Sequence, residues 1–293
     1  MPRFASPIIT VAAHDYFGYT GYPAGGPSAA GFKGKTLGPI RRRSISLFTF
    51  KRAVCSMPNP QTVRNLFAVI AGRYDLLNHV LSCSIDRLWR RRLVALAAAG
   101  GTDLRVVDIC SGTGDIALAF RRRTGARVVG VDFSREMISV AQRKAGRPLG
   151  GRGIGLVCAD ALTLPFADGD FDVATMGFGL RNLSDYGRGV AEAARVVRAG
   201  GRVLILEFAP PTHRGVLVLY RLYLRFVVPI VGGLLTGSMS AYEHLSDTIA
   251  GFLEPREVIG VMKVCGLIDP KAVRLTGGIA YIYSARKRAP APV

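Results

Sequence analysis

Twelve consecutive residues constrain this chain more than any others: Val106-Val107-Asp108-Ile109-Cys110-Ser111-Gly112-Thr113-Gly114-Asp115-Ile116-Ala117. An apolar run ends in two glycines one residue apart. A helical pattern follows, with Ala117 where a small residue lets helix and strand approach closely. Glycine is needed at such a turn because bare backbone must come against a ligand. Asp132 stands twenty residues after Gly112, directly behind a second apolar run. A carboxylate there can accept both hydroxyls of an adenosine ribose. Taken alone, the pattern fits a dinucleotide-binding unit and an S-adenosylmethionine site equally well.

The flanking sequence separates the two. Leu104–Ile109, Val128–Val131, Ile154–Cys158, Val173–Met176 and Val203–Leu206 read as strands, with helical patterns at Ile116–Arg122, Met137–Lys144 and Gly189–Val197. Alternating strands and helices predict a parallel sheet covered on both faces. Ahead of it, 62–99 is helical, with Val63, Leu66, Phe67 and Ile70, then Leu88, Leu93, Leu96 and Ala97, at three- and four-residue spacing. Dinucleotide domains often begin at their first strand; this one does not. Asp108 lies four residues before Gly112, where a methyltransferase's first motif carries an acid. Asp160-Ala161 follows the third strand, where an acid can accept a hydrogen bond from an adenine amino group. Leu164-Pro165-Phe166-Ala167-Asp168-Gly169-Asp170-Phe171-Asp172 then leads into the fourth. Asp160 alone also reads as an ordinary loop carboxylate, but the series, with its spacing kept, reads as a methyltransferase sheet.

Composition narrows the remaining classes. Thirty-nine basic residues against twenty acidic ones give a net charge of +19, which suits an anionic membrane, an anionic ligand or nucleic acid. No RNA-binding module or aromatic stacking motif accompanies it, so nucleic acid is not expected as a partner. Five scattered cysteines without a C-x-x-C pair, and four histidines, argue against a disulfide scaffold or a zinc site. Residues 1–56 hold eight Lys/Arg against one acid, Asp15, among Gly, Pro and Ser. They read as a disordered or transit-like tail, or as sequence ahead of a misplaced start, with one domain over 57–293. Val216–Thr236 is almost wholly apolar, yet Arg221 and Arg225 fall inside it and Pro229 interrupts it. Two arginines near mid-span oppose insertion. An amphipathic helix that seeks a surface or covers a cleft is expected, with Leu217, Leu224 and Val228 away from the arginine face; an ordinary buried helix is the plainer reading.

The resemblance is closer than a class. Arg73-Tyr74-Asp75-Leu76-Leu77-Asn78, Leu81-Ser82 and Arg87-Leu88-Trp89-Arg90 resemble the opening motif of the ubiquinone/menaquinone biosynthesis C-methyltransferases. So do Gly177-Phe178-Gly179-Leu180-Arg181-Asn182, Arg198–Phe208, Tyr242-Glu243-His244-Leu245 and Leu275-Thr276-Gly277-Gly278-Ile279-Ala280. The resemblance spans about 62–285. It implies a class I, Rossmann-like methyltransferase fold: a parallel-rich seven-stranded α/β sheet with helices on both faces, preceded by a helical lid. It also implies S-adenosylmethionine as cofactor, no metal, and a polyprenylated quinol methylated at a ring carbon. The family's cofactor contacts fall on Thr113, Asp132, Asp160, Ala161 and Gly177, with Asp108, Gly112 and Gly114 in the turn. The chain departs from the family pattern at Cys110, Ser111, Cys83-Ser84, Asp86 (commonly His) and Gly177 (often Ser).

A quinol ring carbon is a poor nucleophile until its hydroxyl loses a proton, and afterwards the same carbon must shed hydrogen. The site therefore needs a cation or donor near the phenolate oxygen, and a base. Arg181 is expected to stabilise the phenolate and Asn182 to orient it. The competing reading pairs Arg181 structurally with a helix acid. Tyr74, Asp75 and Asn78 are expected in a lid, facing cofactor or quinol, or else capping a helix. His244 is the candidate base. Glu207 reads equally as a structural acid or a site carboxylate. Such a substrate implies a cytoplasmic enzyme peripheral to the membrane, or an organellar one if 1–56 is a transit peptide. A homo-oligomer is compatible with the sequence. The competing functions are methylation of another lipid or small aromatic, RNA methylation, and a non-catalytic subunit of a quinone-biosynthesis assembly.

Overall fold

The computed structural model describes residues 60–99, 101, 103–146, 154–211, 213–236 and 246–289. The segments 1–59 and 237–245, the latter carrying Tyr242, Glu243 and His244, lie outside them. Helices α1 (Pro60–Ile70), α2 (Tyr74–Leu81) and α3 (Ile85–Ala98) precede the sheet. The run expected to be helical over 62–99 is thus three helices. Between α2 and α3 the chain turns through Cys83 and Ser84, both at positive φ.

The sheet then builds outward from β1 (Arg105–Ile109). In chain order follow α4 (Asp115–Arg123), β2 (Arg127–Asp132), α5 (Arg135–Ala145), β3 (Ile154–Cys158) and β4 (Phe171–Gly177). Next come α6 (Tyr186–Val196), β5 (Val197–Phe208), α7 (Arg214–Leu222), a π-turn (Tyr223–Val227), α8 (Val228–Thr236), α9 (Pro255–Val264), β6 (Leu267–Leu275) and β7 (Ala280–Lys287). The seven strands lie in the order β3-β2-β1-β4-β5-β7-β6. All neighbours from β3 to β5 are parallel, whereas β7 runs antiparallel to both β5 and β6. The chain reverses direction of growth at β1, so a crevice opens between the carboxyl ends of β1 and β4, where ligands bind in such sheets.

Each face carries its own core, which is why the strands read as continuous apolar runs. Val106, Val128, Val173 and Leu204 pack on one side with Trp89, Leu93 and Phe120 from α3 and α4. Val107, Val129, Ala174 and Ile205 pack on the other with Val190 and Ala194 of α6 and Val258 and Met262 of α9. A third, smaller cluster sits at the carboxyl edge, where Ile70 and Leu77 meet Tyr220, Leu224, Val228 and Ile249. It fastens α1 and α2 to the α7–α8 arm, so that lid and arm together roof the crevice.

Candidate functional site

The turn after β1 is closed by backbone bonds, with Ser111 N donating to Val131 O at 2.9 Å and Gly114 N donating to Ser111 O at 2.9 Å. Gly112 (φ +55) and Gly114 (φ +82) take the left-handed conformation that the turn requires. Gly114 also brings α4 against α5, where an added Cβ would sit 3.2 Å from that of Ala141. Asp132 ends β2 facing this turn. Its Oδ2 accepts from Gly112 N at 2.8 Å and its Oδ1 from Ser134 N at 3.0 Å. Ser134 in turn caps α5 by accepting from Met137 N. Burial raises the Asp132 carboxyl to about 6, against the lowering effect of those amides.

Asp132, Asp160, Ala161, Gly112 and Gly177 line one cavity of about 290 Å³. They bring together acids from the ends of β2 and β3 with bare backbone from two turns, a donor set that suits a nucleoside. Asp160 is exposed at the rim, its Oδ1 accepting from Leu162 N at 2.9 Å. An added Cβ at Gly177 would collide with Ile116 Cδ1, so Gly177 stands here because a branched side chain fills the space.

Asp108, Thr113 and Gly114 lie behind this wall. Asp108 is 1% exposed, accepts from Thr175 Oγ1 at 2.8 Å and has an unpaired Oδ2. Burial pushes its carboxyl up to about 7. Thr113 is buried and donates to Asp75, the acid of the lid helix α2. Lys144 of α5 completes this clamp, with Nζ 2.5 Å from Asp75 Oδ2 and 2.6 Å from Asp115 Oδ1. Asp75 therefore ties lid to turn and lines neither cavity. The sequence reading missed Lys144, which no motif marks.

The second cavity, about 370 Å³, lies under the lid and arm. Its wall is largely aliphatic and aromatic, including Leu66, Ile70, Trp89, Phe208, Leu224 and Ile279, with Asn78 and Arg181 among its few polar groups. Phe67, Tyr74, Phe178 and Asn182 line both cavities, so they form the partition. Tyr74 stands over Gly112, its Cε1 3.9 Å from where a Cβ there would be. Phe178 holds a left-handed backbone (φ +57) between Gly177 and Gly179, a conformation an aromatic residue keeps only under surrounding constraint.

Arg181 is 3% exposed and Glu207 fully buried. Arg181 Nη1 lies 2.5 Å from Glu207 Oε1, and Glu207 also accepts from Arg181 N and Phe208 N. Arg181 is therefore structurally paired, but with a strand acid and not with the helix acid expected. The pairing does not exhaust the guanidinium, because Nε is buried without a partner. Asn182 turns its amide toward Phe178 O, at 3.3 Å. Along the arm Leu224 and Val228 are buried, away from the exposed Arg221 and Arg225 as expected, while Val218, Leu222, Phe226 and Ile230 are exposed beside the arginines. The inner face is the one that closes the cavity.

A family model, the ubiE/COQ5 methyltransferase family, matches residues 56–287. The chain belongs to this family. A demethylmenaquinone methyltransferase of Thermus thermophilus is 42% identical over 219 residues, covering 74% of this chain and 98% of the relative. A ubiquinone/menaquinone biosynthesis C-methyltransferase of Bdellovibrio bacteriovorus is 40% identical over 228 residues, covering 77% and 96%. Among solved structures, a possible histamine N-methyltransferase of Thermotoga maritima superposes with a TM-score of 0.55 at 19% identity, over 77% of this chain and 99% of that one. The cyclase SpnF does so with a TM-score of 0.58 at 18% identity, over 80% and 98%. These likenesses carry the fold. Family membership makes the chain an S-adenosylmethionine-dependent methyltransferase.

Proposed function

We propose that this chain methylates a ring carbon of a polyprenylated quinol, the step from demethylmenaquinol to menaquinol or its benzoquinol counterpart. The observation that carries this reading is the pair of cavities sharing one wall. One sets acids and bare backbone among apolar side chains, the other is lined largely by apolar side chains with the Arg181 guanidinium on its wall. Relatives at about 40% identity carry names from the same chemistry.

When bound in the first cavity, S-adenosylmethionine supplies an electrophilic methyl group. Asp132 would hold the ribose hydroxyls and Asp160 the adenine amino group, while Gly112 leaves room for backbone contact. Arg181 offers its spare N–H to the quinol oxygen and stabilises the phenolate that activates the neighbouring carbon. Asn182 and Tyr74, at the partition, orient the ring against the first cavity. The apolar wall excludes water, which strengthens the Arg181–phenolate interaction. His244 remains the proposed base for the hydrogen the ring carbon must lose.

The test is methyl transfer from labelled S-adenosylmethionine to short-chain demethylated naphthoquinol and benzoquinol. Labelled product from either ring is the expected result. Cofactor binding without product from either would discard the substrate.

A polyprenyl tail makes the substrate a lipid, and we place the enzyme peripherally on a membrane. Gly215–Leu234 is long and apolar enough to cross one, yet its inner face closes the cavity and 28% of it is buried. Its outer face exposes Leu222 and Phe226 beside the exposed cations Arg221 and Arg225, the make-up of a helix lying in an anionic interface. The protein should float with anionic liposomes at low salt, and Leu222→Glu with Phe226→Glu should abolish flotation. Wild-type protein that stays with the soluble fraction would refute the docking.

A further inference from the structure

The apolar cavity has a second polar end to which the proposed mechanism assigns no task. Three described residues on its wall are charged: Arg181, Asp86 and Arg90. Asp86 is 3% exposed and Arg90 7%. Spaced one helical turn apart on α3, they form an ion pair. Asp86 also accepts from Ser82 Oγ at 2.7 Å and contacts His79 Nδ1 at 3.0 Å. These contacts and Arg90 outweigh the burial that pushes its carboxyl up, and hold it below the ordinary range. It stays ionised inside a lipid-like cavity.

Stability does not explain the pair. Desolvating two charges costs several kcal/mol per ion, and a well-packed apolar pair of similar volume is often as stable or more so. A built ionic cluster on the wall of an otherwise apolar cavity points to a ligand with a matching polar group. Its placement says which. Arg90 and Arg181 share one aromatic neighbour, with Cζ atoms 5.5 and 5.9 Å from the Phe178 ring centroid, so the two guanidiniums lie within about 11 Å of each other. Both guanidiniums therefore lie within the reach of a single flat ring carrying an oxygen at each end.

We infer that Ser82, Asp86 and Arg90 hold the ring oxygen para to the one that Arg181 faces, and so select substrates with two ring oxygens. The inference rests on the quinol reading above. Ser82 Oγ gives its hydrogen to Asp86 and keeps a lone pair for the para hydroxyl's proton. Arg90 bonds Asp86 through Nη1, and its Nε lies 3.8 Å from Asp115 Oδ2. Of its five N–H groups, others remain for the para oxygen. Asp86 fixes both partners and is a positioning residue.

The experiment compares kcat/KM for a short-chain demethylated naphthoquinol with that for the matching 1-naphthol, which lacks the para oxygen. Two variants of the full chain are used. Ser82→Ala removes the lone pair, and Asp86→Leu with Arg90→Met removes both charges without stranding either. The wild type should prefer the quinol, and each variant should erode that preference about tenfold, the value of one lost hydrogen bond, chiefly through the quinol's KM. A merely structural role would depress both substrates alike and leave the ratio unchanged, which would overturn the inference. Cofactor-bound wild type that methylates neither compound would overturn the quinol reading with it.

Discussion

Arg181→Met is expected to lower methyl transfer about a hundred- to a thousandfold while leaving cofactor affinity nearly unchanged. That range is the usual cost of removing one donor aimed at a developing oxyanion, and Arg181 lines the apolar cavity alone. The same substitution strands Glu207, which is fully buried. A buried charge left without its partner costs about 3–5 kcal/mol, so denaturant unfolding should show a large loss of stability. Adding Glu207→Gln removes the stranded charge and should return most of that stability. Turnover should stay low in the double variant, because it still lacks the guanidinium side chain that lines the apolar cavity. A double variant with restored stability and wild-type turnover would leave Arg181 as a structural partner of Glu207 and nothing more.

How far the sequence led can be read from the same residues. β1 to β4 and the Val203–Leu206 part of β5 were legible because their runs are largely apolar and buried; Asp108 and Thr175, buried polar residues within them, bond each other inside the sheet. β6 was not. It is an edge strand with a half-exposed pattern, and Asp269, Pro270 and Lys271 interrupt it at a register shift. Only the resemblance implied it and β7. In the site, Asp132, Asp160 and the glycines were legible because a strand–turn–helix unit fixes which residues reach the crevice. Asp108, Thr113 and Gly114 belong to the same motif but support the wall from behind, a distinction that spacing cannot make. The Lys144 clamp and the choice of Glu207 as Arg181's partner depend on side chains 69 and 26 positions apart, and no local pattern encodes them. The arm's periodicity separated Leu224 and Val228 from the arginine face, but could not say that the apolar face meets the lid.

Asp132 should show the largest effect on the cofactor. An ionised carboxylate accepting two ribose hydroxyls makes two charge-assisted bonds, each contributing about 1.5–3 kcal/mol. Asp132→Ala should therefore weaken S-adenosylmethionine binding at least about a hundredfold by calorimetry. It also strands Gly112 N and Ser134 N, whose acceptor it is. Asp132→Asn keeps the shape and part of the acceptor capacity, so its loss should be smaller. The pH dependence identifies the group. With its carboxyl at about 6, Asp132 takes up a proton below that pH, and the neutral form can no longer accept both hydroxyls. Cofactor affinity should be flat above pH 6 and fall about tenfold per unit below it. Stability of the free protein runs the other way. The folded chain holds this proton more tightly than the unfolded one, so the group favours folding in acid. That contribution disappears as pH rises from about 4 to about 6. Asp108 is the other raised carboxyl among the described residues, at about 7, but it lines neither cavity. Asp132→Asn should abolish the acid arm of binding; an arm that persists and moves toward pH 7 would transfer the titration to Asp108.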